Sequence, residues 1–139
     1  MNNNFAFIYQ NIFGRDFYEE HFSFCDFLFD EGLYFPIGLT TLIFSVFSCI
    51  FFYYIINRPS FSRWYNWVII GVFNFVICYS IAYLISYDSL NSLYPGIFPA
   101  SEFMGFSFLN GTISFFYYTI SMLLFRWWST NAKQTPFPH

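Results

Sequence analysis

Apolar residues along this chain gather into three long stretches, 33–57, 64–87 and 103–128, separated by short polar segments. Their cores, 37–56, 67–86 and 106–125, contain no Asp, Glu, Lys or Arg. A hydrocarbon core about 30 Å thick is crossed by roughly 20 helical residues. In water, three such helices would require a buried core larger than a chain of 139 residues can build around them. The pattern therefore predicts an all-α integral membrane protein with three transmembrane helices, at about 36–57, 65–87 and 104–128.

The polar segments set the boundaries. Residues 1–32 form an acidic, aromatic lead in which Phe5, Ile8, Ile12, Phe13, Phe17 and Phe24 recur at roughly helical spacing. This predicts an N-terminal amphipathic helical segment, broken near Gly14. Two settings fit it: the headgroup plane of a bilayer, or a seat on the membrane domain of the same chain. Pro36 suits the first turn of span 1, and Pro59 disfavours helix at Arg58. The short hinge 57–63 makes spans 1 and 2 an antiparallel hairpin. Trp64 and Trp67 open span 2 at interface depth. A turn-rich connection, 88–102, carries Pro95, Gly96 and Pro99. The membrane domain is thus 33–128, and 129–139 is a polar tail.

Charge gives the chain a direction. Arg58 and Arg63 lie in the first hinge, Arg126 and Lys133 at and after the end of span 3, and the connection 88–102 has neither Lys nor Arg. Basic residues favour the cytoplasmic side. Three crossings place the hinge and the C-terminus together, so the expected topology is N-terminus outside and C-terminus cytoplasmic, in an inner (plasma) membrane. The acids then collect outside. Composition agrees with lipid as solvent: 57% of residues are hydrophobic and 9% charged, against about 25% charged in ordinary globular domains. Residues 1–13 lack the positive n-region and cleavage pattern of a signal peptide, so the start is expected to be mature protein. Cys25, Cys49 and Cys78 form no pair motif, and neither a disulfide nor a metal site is expected.

Each span also carries small or polar residues at steps of three and four, which place them on one helix face. Gly38, Thr41 and Ser45 in span 1, Gly71, Asn74 and Cys78 in span 2, and Gly111 in span 3 are expected to pack helix against helix, the usual role of small residues in lipid. Span 3 adds Ser107, Asn110, Ser114, Tyr117, Tyr118 and Ser121. Polar groups facing hydrocarbon are costly, and one three-helix unit offers little interior. These six residues are therefore expected to meet across subunits of a homo-oligomer of three or more, lining a pore. Asp26, Asp30 and Glu31, or alternatively Glu102, would form acidic rings at its outer mouth and favour cations.

Chemistry adds little beyond this. His21 lies beside Glu19 and Glu20 without a metal-ligand spacing, and no phosphate loop, nucleophile elbow or HExxH motif is present. Neither an enzyme nor a cofactor is expected. Arg58, Arg63, Arg126, Trp127, Trp128, Asn131 and Lys133 combine cations with aromatic rings on the cytoplasmic side. Such groups bind a nucleotide or oligonucleotide by charge and stacking, or a partner protein. The leading expectation is a small homo-oligomeric channel or pore, one form of which is a defence or toxin-like membrane effector gated by a cytoplasmic ligand or partner protein. The alternative is a non-conducting accessory or assembly subunit of a larger membrane complex.

Overall fold

A computed structural model describes residues 2–56 and 64–125, with the side chains of 3–53 and 65–125. Among the described residues every regular element is helical. The lead comprises α1 (Asn2–Phe7), which widens into a π-helical turn over Ile8–Phe13, then α2 (Arg15–Glu20) and α3 (Phe22–Asp30). Three long helices follow: α4 (Tyr34–Ile50), continued by a π-helical turn over Phe51–Ile56, α5 (Trp64–Leu93) and α6 (Ala100–Phe125). Each is long and apolar enough to cross a bilayer, so the chain reads as a multi-pass membrane protein.

The register of the bundle is legible in its hydrogen bonds. Thr41 reaches Asn110, Ser45 reaches the Ser114 carbonyl, and Tyr53 reaches the Met122 carbonyl, each across 69 residues. A constant offset means that α4 and α6 run parallel. Asn74 bonds Ser114, and Cys78 bonds Asn110. Here one number rises as the other falls, so α5 runs antiparallel to α6. One end of the bundle holds Tyr34, Leu90 and Phe103, the other Tyr53, Trp67 and Met122.

The lead covers the first of these ends. Phe24 stacks edge-on against Phe98 and Phe103 at 5.4 and 5.2 Å, and Phe27 against Tyr94 at 4.7 Å. Such tilted pairs suit the ring quadrupole. Tyr9 enters between α4 and α6, with its ring 5.4 Å from Tyr34 and 5.6 Å from Phe106. Of the two settings open to the lead, the seat on its own membrane domain is the one observed. Gly14 allows a close approach: a Cβ there would meet the Leu109 side chain at 2.5 Å. At the other end of the lead, Gly32 ends α3 with φ +68. Its N–H bonds the Phe29 carbonyl and that of Leu33 bonds the Leu28 carbonyl. This is the paired-bond stop that favours glycine, and it turns the chain into α4.

Two boundaries differ from the expectation. The segment after Tyr87 was expected to be a turn-rich connection as far as Glu102, but α5 runs on to Leu93 and α6 begins at Ala100. Asp88 marks where charge begins, yet a helix need not stop where the hydrocarbon does. Leu90 is fully buried beneath the lead, and that packing carries α5 onward. Glu102 accordingly sits in the first turn of α6, where a carboxylate is favoured by the helix dipole.

Candidate functional site

The polar residues of the three spans converge on one buried network. Asn110 is its hub. Its Oδ1 accepts from the Tyr9 hydroxyl and from Thr41 Oγ1 at 3.0 Å, and its Nδ2 donates to the Cys78 carbonyl at 2.9 Å. One side chain thus ties the lead, α4 and α5 to α6. At the level of Ser114, one turn further along the bundle, lies a second hub, Asn74 of α5. Its Nδ2 donates to Ser45 Oγ and to the Ser114 carbonyl, both at 3.2 Å, while Oδ1 accepts from Ser48 Oγ at 3.1 Å.

This arrangement gives the span-3 stripe partners within one chain. Ser107, Asn110, Ser114, Tyr118 and Ser121 are buried within a single chain, and Tyr117 is half-buried. Tyr118 donates to the Trp67 carbonyl at 3.2 Å. Ser107 and Ser114 bond carbonyls of α6 itself at 2.6 Å. The expectation rested on one three-helix unit having little interior. The lead supplies a further wall, and Tyr9 fills the space between α4 and α6, so the stripe meets protein without crossing to a second subunit. Hydroxyls nearer the surface are also satisfied locally: Ser80, Thr112 and Thr119 each bond a carbonyl four residues back. This habit of helical Ser and Thr needs no water. Among the described residues two buried side-chain polar atoms lack a hydrogen-bond partner, Trp67 Nε1 and Glu102 Oε2. Neither belongs to the stripe.

The remaining expected positions fall as follows. Gly38, Thr41, Ser45, Gly71, Asn74, Cys78 and Gly111 are all buried. Gly38 lies under the ring of Phe5, Gly71 against Phe115 and Tyr118, and Gly111 against Phe75. Asp26, Asp30 and Glu31 are exposed on the lead, with Tyr94 donating to Glu31 at 3.3 Å. Glu102 is set apart from them. It is mostly buried and faces His21, whose Nδ1 lies 3.6 Å away, while the imidazole stacks on Phe17 at 4.6 Å. Glu102 thus stands apart from the other three acids, at the contact between the α2–α3 junction and α6. Arg58, Arg63, Arg126, Trp127, Trp128, Asn131 and Lys133 lie outside the described residues.

Sequence reasoning missed Tyr9, Tyr34 and Gln10. Gln10 donates to the Tyr34 hydroxyl at 3.2 Å, and Tyr34 donates to the Cys25 carbonyl at 3.5 Å. Tyr9 follows Phe5 by four residues and precedes Phe13 by four, a spacing that would have marked it as part of the inward face. Cys25, next to Tyr34, is buried, and burial pushes its thiol up to about 11, partly offset by the Tyr34 hydroxyl. No protein-family model, curated protein or solved structure matches the chain.

Proposed function

We propose that this chain is a non-conducting accessory or assembly subunit of a larger membrane complex. The observation that carries the reading is the closure of the Asn110 and Asn74 networks inside one chain, which leaves the span-3 stripe with no unmet polar demand. A bundle closed in this way acts through its surfaces. Those surfaces are apolar along the spans, where Val72, Phe73, Phe108 and Leu124 are more than half exposed, and acidic on the lead. The basic residues of the hinge and tail support an inner membrane, N-terminus outside and C-terminus cytoplasmic.

Reconstitution into liposomes tests the reading. The purified chain is expected to run as a monomer or dimer in mild detergent and to leave an imposed ion gradient intact. A stable homo-oligomer of three or more that dissipates the gradient, and loses that activity on Phe108→Asp but not on Asn110→Gln, would replace this reading with a channel lined by a different face of α6.

A further inference from the structure

We propose that the crevice between the lead and α6 is a seat for one zwitterionic phospholipid. The crevice is about 530 Å³ in volume. Ile12 and Phe13 form one wall and Phe108 and Leu109 the other, while Arg15 and Asp16 stand beside them. Its depth suits a headgroup. The 26 residues of α6 extend about 39 Å at 1.5 Å per residue, some 9 Å more than the hydrocarbon core. Gly14 meets Leu109 and Phe17 meets Gly105, which brackets Arg15 and Asp16 about 8–14 Å from the start of α6 at that same rise, while the Phe13 ring reaches that of Phe116 at 5.2 Å, further along the helix. Arg15 and Asp16 are therefore held near the boundary between headgroups and chains, and the apolar walls continue from them into the hydrocarbon.

The chemistry of the walls selects the ligand. Ile12, Phe13 and Phe108 are 56, 38 and 62% exposed, a surface that demands an acyl chain. Arg15 is the sole cation of the lead. It is engaged with Glu19 at 3.0 Å, but both side chains are largely solvent-facing at 76% and 63%. An exposed pair of this kind contributes little and yields to a phosphate, which a guanidinium grips through two N–H groups. Asp16 and the released Glu19 then face the ammonium of the same headgroup. Acids outnumber Arg15 here, so a lipid with net negative charge is disfavoured, whereas one carrying both charges is matched.

Native mass spectrometry of the full chain in mild detergent tests the site, with phosphatidylethanolamine, phosphatidylglycerol and chain-free glycerophosphoethanolamine as probes. One phosphatidylethanolamine is expected to be retained, about tenfold more tightly than phosphatidylglycerol, with no retention of glycerophosphoethanolamine. Arg15→Gln and Thr112→Trp, which remove the phosphate contact and fill the crevice, are each expected to lower retention about tenfold. Both positions are at the surface, and circular dichroism of the variants checks the fold. Equal retention of phosphatidylglycerol, unchanged retention in both variants, or binding of the chain-free headgroup would each overturn the proposal. These outcomes are independent of the flux measurement, so a lipid seat and a conducting oligomer stand or fall separately.

Discussion

The two ends of the bundle are built differently from similar amino acids. At the end under the lead, Tyr9, Phe24, Leu28, Tyr34, Leu90, Phe103 and Phe106 close into one buried cluster. At the other end a smaller cluster of Cys49, Phe52, Tyr53, Tyr118 and Met122 is buried. There an apolar groove of about 370 Å³ opens between α4 and α5, walled by Phe44, Phe47, Phe51 and Phe73. Phenylalanine is abundant in both places. Whether it becomes core or surface depends on whether a further element arrives to cover it, and the lead reaches only one end. Lipid satisfies the uncovered rings, but it cannot satisfy a buried amide. The two asparagine hubs accordingly sit where α4, α5 and α6 all converge, each with three partners, and Asn110, which also receives Tyr9, sits where the lead joins them.

If the capped end is held by specific packing and the other by lipid, substitutions should separate them. The largest effect is expected for Tyr9→Ala, which empties the centre of the capped cluster and strips Asn110 of a donor. Such aromatic truncations cost about 3–5 kcal/mol, read as a drop in unfolding midpoint in mixed micelles. Asn110→Leu should follow at about 3 kcal/mol, from three partners at roughly 1 kcal/mol each. A loss below that of Asn74→Leu would show that the capped end is not the stronger one. Gly32→Ala forces a side chain into a positive-φ turn and should cost about 1 kcal/mol, with the lead loosened more than the spans in hydrogen exchange. Phe73→Ala in the open groove should change stability by less than about 0.5 kcal/mol.

Cys25 reports on the cap without mutation. It is buried and its thiol is raised by that burial. Maleimide labelling, mapped by peptide mass, should be slow at pH 7 and rise with pH, since the thiolate is the reactive form. A raised thiol favours the protonated folded state, so the lead should loosen as pH climbs from about 9 toward 11. Fast labelling at pH 7 would mean that the lead is not seated.

The spans were legible because lipid reads composition directly. Long uncharged runs have one stable outcome in hydrocarbon, a helix, whatever surrounds them. The helical lead and its break at Gly14 were also legible, from spacing and from the residue that permits a close approach. The ends of α5 and α6 were not. Asp88 and Pro95 signal a boundary locally, but Leu90 is held helical by residues of the lead some sixty positions earlier. The small and polar stripes were visible as stripes; their direction was not.

From the chain alone came the number of membrane helices, their approximate limits and the identity of the residues that need polar partners. Each of these depends on local composition or helical periodicity. Only the folded arrangement decided where those partners are. A hydroxyl four residues from the next looks the same whether it faces water, a second subunit or Tyr9. The choice is made by which distant segment fills the space in front of it.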